Sequence, residues 1–190
     1  MRQAVNYAID RQSMVTNLVK GGSKPVYNAC FREQVACDAS KVINYPFDPQ
    51  KAKQLLAEAG YPNGFDTDIW AYRERDYAEA IIGYLRQVGI RARLHYVQFP
   101  VMADALIFGK APMAFNTWGS FSINDATAFT TPYFGGKGND IWKDPEVTNT
   151  LLKADETINT QVPPRWGVSR LSPILRRCSH TQPTMPLPPI

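Results

Sequence analysis

Between residues 65 and 118 the chain alternates between two hydrophobic periods. The segments "FDTDIWAY" and "IRARLHYV" place apolar and polar residues in turn, a period of two that is typical of β-strands. The segment between them has one apolar helical face, made of Ile81, Ile82, Leu85 and Val88. Asp76 is expected to cap this helix. Residues 100–109 predict another helix and "PMAFNTW" a third strand, so the pattern indicates an α/β fold with a mainly parallel sheet flanked by helices.

The second of these strands divides its residues between two faces. Four apolar or aromatic residues are expected to point inward: Ile90, Ala92, Leu94 and Tyr96. The alternate residues Arg91, Arg93 and His95 then point outward. On a polar face, His95 is expected to be a solvated side chain rather than a catalytic base.

Capping residues mark where other helices begin. Two short helices are predicted at the start of the chain, over residues 2–9 and 11–20, with Asp10 as the cap of the second. Asp48-Pro49 and Asp144-Pro145 each combine an N-cap with a proline at the first helical position.

The cysteines bear on the cellular compartment. Six residues of a loop-like stretch separate Cys30 from Cys37, and this spacing differs from the CxxC pairs of zinc knuckles. A disulfide that closes a short loop fits the stretch and requires an oxidising compartment. The alternative is two unrelated free thiols.

The positive charge of the chain is concentrated in residues 162–190. This segment holds seven of the 15 prolines, four of the 21 basic residues and no acidic residue. The other 17 basic residues therefore balance the 17 acidic ones, and we expect no nucleic-acid partner. We predict that residues 162–190 are a disordered tail on a domain formed by residues 1–161.

Sequence motifs for catalysis and targeting are missing from the chain. No apolar run approaches the roughly 20 residues of a membrane span, and the chain begins with a helix pattern instead of a signal peptide. Taken alone, these observations predict a cytoplasmic protein. The sequence contains no GxSxG, HExxH, P-loop or GxGxxG motif. We therefore predict no catalytic residues, no metal site and no cofactor.

A ligand site is predicted where the strands end. In parallel α/β sheets ligands bind beyond the carboxyl ends of the strands. The first strand ends at Tyr72 and Arg73, and the third at Trp118, Ser120 and Phe121. Aromatic walls with a few polar groups suit a small-molecule cleft. The alternative is that the tryptophan belongs to the core and the loop only turns.

Four segments resemble one protein family. They are "RQAVNYAIDRQSMV", "YPFDPQKAKQLLAEAGYPNGF", "LRQVGIRARL" and "TWGSFSINDATAF". Over about residues 2–159 the chain is similar to the substrate-binding proteins of ABC importers, of the dipeptide, oligopeptide and nickel-binding type. The resemblance covers the second lobe of these type II periplasmic binding proteins only. It implies capture of a peptide or other small solute, delivery to an inner-membrane ABC permease, and a periplasmic location.

The resemblance also bears on the ligand. In peptide binders of the family, the stretch after the position of Trp118 supplies an acidic residue, and the nearest position here is Phe121. Some oligopeptide binders carry a basic residue near the position of Phe115. Both charges are replaced here, so a peptide with free termini is in doubt. An apolar or neutral ligand, or one held by other residues such as Arg73 or Asp125, stays open. A lone lobe encloses a ligand from one side, so we expect at most about millimolar binding and self-association through the lobe-facing surface.

The tail departs from the family pattern. When the codons of residues 178–190 are shifted by two bases, they permit "FTYATNYAFTAD", which resembles the family's continuation. We therefore interpret residues 162–190 as a frameshift after Gln161, with a native proline-rich extension as the alternative. The sequence then predicts a solute-binding protein truncated at both ends. The rival functions are a non-functional product, a protein-interaction module and, less favoured, an enzyme that uses the same cleft.

Overall fold

The protein is described by a computed structural model that covers residues 1–19, 21–28, 30–38, 40, 42–119, 123–136, 140 and 143–156. These residues form two compact units. The first comprises Met1–Tyr27 and Asn44–Gly119, and the second comprises the described parts of Asn28–Ile43 and Ser120–Ile190. The sheet lies in the first unit, and the domain predicted over residues 1–161 stays a prediction. The predicted tail lies outside the described residues.

The first unit contains a three-stranded parallel sheet. Its strands are β1 (Phe65–Ala71), β2 (Ile90–Tyr96) and β3 (Met113–Phe115), in the order β2-β1-β3. This confirms the predicted parallel α/β arrangement. The third strand is shorter than predicted, because β3 pairs only with residues 69–71 at the end of β1.

Five helices accompany the sheet in the described part of the first unit: α1 (Arg2–Ala8), α2 (Arg11–Asn17), α3 (Pro49–Glu58), α4 (Arg75–Gln87) and α5 (Phe99–Ile107). The predicted caps of α2 and α3 are confirmed, because Asp10 accepts from the backbone N–H of Ser13 and Asp48 from that of Lys51, both at 2.9 Å. Helix α2 ends at Asn17, three residues earlier than predicted.

Helix α4 begins differently from the prediction. Its N-cap is Glu74, which has a left-handed backbone (φ 42°, ψ 59°) and makes no side-chain cap. Asp76 lies in the first turn instead of capping the helix. An acidic residue in the first turn still interacts favourably with the positive end of the helix dipole. The acidic residue therefore marks the start of α4 correctly, although it does not cap the helix.

The core of the first unit joins three helices to the strands. Its buried members are Ala4, Ala8, Ala52, Leu56, Leu85, Val88 and Ile90. The predicted apolar face of α4 supplies two of them. The prediction that Tyr96 points into the core is wrong: the residue is 46% exposed, because β2 ends there.

The opposite face of β1 and β2 carries paired charges. The guanidinium of Arg91 donates to both carboxylate oxygens of Asp66, at 2.8 and 3.0 Å, directly across the ladder. Arg93 donates to Asp68 Oδ1 at 3.0 Å. The outward orientation predicted for these arginines is confirmed. The hydrogen bond from Arg91 lowers the pKa of the Asp66 carboxyl below its usual value.

His95 is less solvated than predicted. Its Nε2 lies 2.8 Å from Asp68 Oδ1, and its ring stacks on Trp70 with a centroid distance of 4.7 Å. The side chain is consequently only 30% exposed. The hydrogen bond to His95, with a smaller contribution from Arg93, lowers the pKa of Asp68.

In its described part, the second unit contains two helices and a disulfide-closed loop. The helices are α6 (Thr127–Phe134) and α7 (Pro145–Asp155). Asp144 caps α7 as predicted, by accepting from the N–H of Glu146 at 2.9 Å. The Cys30–Cys37 disulfide is present, which confirms the sequence prediction; the Cα atoms lie 5.8 Å apart.

Among the described residues, no helix is both long and apolar enough to cross a membrane.

Candidate functional site

The carboxyl end of the parallel sheet carries a fixed aromatic group. Tyr72 follows β1, and its hydroxyl lies 2.9 Å from Thr117 Oγ1, which follows β3. This hydrogen bond joins the exits of two adjacent strands and fixes the direction of the tyrosine ring. The ring in turn contacts Phe99, the first residue of α5, with centroids 5.0 Å apart.

Phe99 gives this group an exposed apolar surface. It is 51% exposed, whereas the Tyr72 ring beside it is half-buried. The exposed ring of Tyr96 lies at the end of β2 and has the guanidinium of Arg75 over it at 5.6 Å. Arg75 Nε donates to Glu79 Oε1 at 2.7 Å, and this hydrogen bond raises the pKa of the guanidinium. The strand ends therefore present aromatic surfaces next to a permanent cation, an arrangement that suits a small ligand.

A strained residue marks the same edge. Glu74 has positive φ, a region that costs a non-glycine residue roughly 1–2 kcal/mol. Its Oε1 lies 3.4 Å from Arg73 Nε, and its buried Oε2 accepts no hydrogen bond from any residue that the structure describes. Strain and unsatisfied polar atoms of this kind cluster at functional sites.

The predicted site residues divide between the two units. Tyr72, Arg73 and Trp118 belong to the first unit, where the Arg73 side chain is exposed and Trp118 is half-buried. Asp125 belongs to the second unit, where its Oδ1 accepts from the N–H of Thr127 at 2.8 Å. Ser120 and Phe121 lie outside the described residues. Ligand contact by any of these residues stays a prediction.

Sequence reasoning missed Phe99, Thr117 and Glu74. Phe99 lies just before the helix predicted over residues 100–109, and Thr117 lies inside the predicted third strand. For Phe99 and Thr117 the sequence carries a positional signal, because one starts the helix after a strand and the other follows a strand, where ligand groups of parallel sheets lie. Glu74 had no signal, since positive φ at a glutamate is not visible in a sequence.

The described residues contain no cluster of three or more His, Cys, Asp or Glu side chains that could hold a metal ion. On the sheet, Asp66 and Asp68 pair with Arg91 and Arg93. The group at the strand ends offers ring surfaces, a hydroxyl and a guanidinium. These groups can bind and orient a ligand.

Comparison with known proteins gives a consistent result. The family model for bacterial extracellular solute-binding proteins, family 5 Middle, matches residues 1–140. The glutathione-binding protein GsiB of Salmonella choleraesuis (strain SC-B67) is 37% identical over 172 residues, which are 85% of this chain and 32% of that protein. The chain thus spans about a third of the length of this relative.

Two solved structures share the fold. A dipeptide-binding protein from Pseudoalteromonas sp. SM9913, in complex with Met-Leu, matches with a TM-score of 0.80 and 25% identity over 93% of this chain and 37% of its own. The ABC transporter-associated periplasmic binding protein DppA from Helicobacter pylori, in complex with the peptide STSA, has a TM-score of 0.80 at 22% identity, over 93% of this chain and 36% of its own. These matches confirm the α/β class and the type II periplasmic-binding-protein fold.

Proposed function

Because the chain belongs to the bacterial extracellular solute-binding proteins of family 5, we propose that it is a substrate-binding component of an ABC importer. It captures a peptide or another small solute in the periplasm and presents it to an inner-membrane permease. Binding requires no catalytic step. The observation that carries the proposal is the aromatic group of Tyr72 and Phe99, fixed by Thr117 at the carboxyl end of the sheet.

The residues at this edge suggest how a ligand is held. The exposed face of Phe99 provides apolar contact, and the Tyr72 hydroxyl and the exposed Arg73 provide hydrogen bonds. An extended peptide or a γ-linked peptide such as glutathione has both apolar and carboxylate groups for these partners. Asp125 is a separate predicted ligand residue of the second unit.

Nuclear magnetic resonance titration tests the proposal and detects binding as weak as millimolar. Met-Leu and S-methylglutathione are added to the full chain, and the latter carries no thiol that would exchange with the disulfide. We expect shift changes centred on Tyr72, Phe99 and Thr117. Tyr72→Phe should weaken binding about three- to tenfold, the usual worth of one hydrogen bond. The matched control is Tyr61→Phe, at the other end of β1. Shift changes confined to other residues, or none with either probe, would contradict the proposal.

Protein interaction is a second candidate function, favoured by one observation. Helix α5 and the residue after it expose Val101, Ile107 and Phe108, and the last of these is 70% exposed. Apolar side chains grouped in this way favour self-association. Sedimentation of the full chain should show a concentration-dependent dimer that Phe108→Ser weakens. A monomer at every concentration would exclude this function.

A further inference from the structure

The disulfide-closed loop of residues 30–37 is held by internal backbone hydrogen bonds. The N–H of Gln34 donates to the carbonyl of Phe31 at 2.9 Å, and the N–H of Cys37 donates to the carbonyl of Gln34 at 3.2 Å. These two hydrogen bonds form successive tight turns. Ala36 has positive φ (64°), which a non-glycine residue keeps only where its surroundings determine it.

The tip of the loop pairs with a segment about 90 positions later in the same unit. The N–H of Val35 donates to the carbonyl of Asn124 at 3.1 Å, and the N–H of Ala126 donates to the carbonyl of Val35 at 3.1 Å. Together they form an isolated parallel bridge between Val35 and Asp125. The Val35 side chain itself is exposed, so the bridge depends on its backbone.

Gln34 uses both ends of its side-chain amide. Its Oε1 accepts from the N–H of Phe31 at 2.9 Å and closes the loop on itself. Its Nε2 donates to the backbone carbonyl of Asp125 at 3.2 Å. One side chain therefore couples the shape of the loop to the position of Asp125.

The sulfur end of the loop is anchored in a core. Cys30 is buried in a cluster with Ala126, Val147 and Leu151, and Cys37 packs against this cluster. Asn28 Nδ2 lies 3.3 Å from Cys37 Sγ. The loop thus contacts residues 123–126 both at its tip and at its disulfide.

We infer that residues 30–37 are a brace for residues 123–126, and that Gln34 is the positioning residue that sets the direction of the Asp125 side chain. This inference rests on the proposed function in taking Asp125 as a ligand residue. The Asp125 carboxylate is already turned toward the N–H of Thr127. The hydrogen bond from Gln34 to the carbonyl of the same residue restricts rotation of its backbone.

Gln34→Glu separates the two functions of the amide. The variant keeps an acceptor for Phe31 but places a carboxylate where the donor to Asp125 stood. In the full chain we expect amide exchange at Ala126 and Thr127 to become about tenfold faster. Binding of S-methylglutathione should weaken about three- to tenfold. Below about pH 4 the introduced glutamate is protonated and can donate again, so protection relative to wild type should return.

Two controls isolate the brace. Val35→Thr changes only an exposed side chain and should leave both amides at wild-type exchange rates. Gln50→Glu makes the same chemical change on an exposed position of α3 and should also have no effect.

Each outcome decides the inference. Wild-type exchange at Ala126 and Thr127 in Gln34→Glu would overturn it, and so would acceleration that extends equally to α7, since that is general destabilisation. If the variant binds S-methylglutathione as tightly as wild type, Asp125 is not positioned for the ligand. If wild type binds neither S-methylglutathione nor Met-Leu, the proposed function and the ligand part of the inference fail, while the exchange rates still decide the brace.

Discussion

The two units are held together by different interactions. In the first, Leu56, Leu85 and Ile90 are fully buried and belong to one cluster that joins helices to the sheet. Among the described residues of the second, the buried cluster has four members and includes a disulfide cysteine: Cys30, Ala126, Val147 and Leu151. A small core supplies little hydrophobic free energy, and disulfides commonly compensate for this. Regular burial therefore stabilises one unit, and a covalent link with long-range backbone hydrogen bonds stabilises the other.

The largest expected effect is in the first unit, at Gly64. Its φ is +72°, and a Cβ there would lie in contact with the carbonyl oxygen of Gly89. Gly64→Ala should lower the free energy of unfolding by about 4 kcal/mol, from backbone strain and the displacement of a neighbouring main chain. Urea unfolding measures the change.

Gly60 is the matched control. Its φ is +88°, but a Cβ there meets nothing within 4 Å. Gly60→Ala should lower the free energy of unfolding by about 1 kcal/mol, the cost of a left-handed backbone at a non-glycine residue. Equal losses at the two glycines would show that the close approach to Gly89 does not matter.

Core packing of the first unit gives the next largest effect. Leu85 lies on α4 and is completely buried against the other members of its cluster. Leu85→Ala should cost about 3 kcal/mol, because the removed atoms leave a cavity that neighbours fill only partly. Leu152→Ala, at an exposed leucine of α7, should change stability by less than about 0.5 kcal/mol. A loss below about 1 kcal/mol at Leu85 would mean that the cluster is loosely packed.

The disulfide tests the second unit. Replacing Cys30 and Cys37 together by serine removes a covalent ring of eight residues and should cost about 2–3 kcal/mol. Hydrogen exchange should accelerate in α6 and α7 while α4 stays protected. Alkylation of unreduced protein, followed by mass spectrometry, checks that the bond forms. Modification of both thiols, or equal loss of protection in both units, would remove the distinction between them.

The difference between the units explains what the sequence could predict. In the first unit the periods of two and 3.6 residues, and caps such as Asp48, are local signals, and β1, β2, α3 and α4 followed from them. The close approach of Gly64 to Gly89 brings together residues 25 positions apart, and no local pattern records it.

The second unit and the site were harder to predict because their interactions are less local. The disulfide was predictable from two cysteines in a loop, but the Val35–Asp125 bridge joins backbone groups without a sequence preference. At the candidate site, the location of Tyr72 at the carboxyl end of the sheet was predictable from its position after β1. Its partners Thr117 and Phe99 did not, because a hydrogen bond between two strand exits depends on where both chains leave the sheet.

The smallest expected effect concerns the charged face of the sheet. The hydrogen bonds to His95 and Arg93 lower the pKa of Asp68. A carboxyl with a depressed pKa in the folded state stabilises the protein above its unfolded pKa of about 3.9, and this contribution disappears as the pH falls through the folded pKa. The first unit should therefore lose stability below about pH 5. The change should be under about 1 kcal/mol, because solvent screens these partly exposed groups.

Two measurements follow for Asp68. Carboxyl titration by carbon-13 nuclear magnetic resonance should place the pKa of Asp68 below the ordinary aspartate value of about 3.9. Asp68→Asn should reduce the loss in free energy of unfolding below about pH 5. Asp104→Asn, at an exposed residue of α5, should leave this pH dependence unchanged. The stack of His95 on Trp70 gives a further readout, since loss of the Asp68 hydrogen bond frees the ring and should alter tryptophan fluorescence. An ordinary pKa for Asp68 would show that its hydrogen bonds to His95 and Arg93 order these side chains without stabilising the fold.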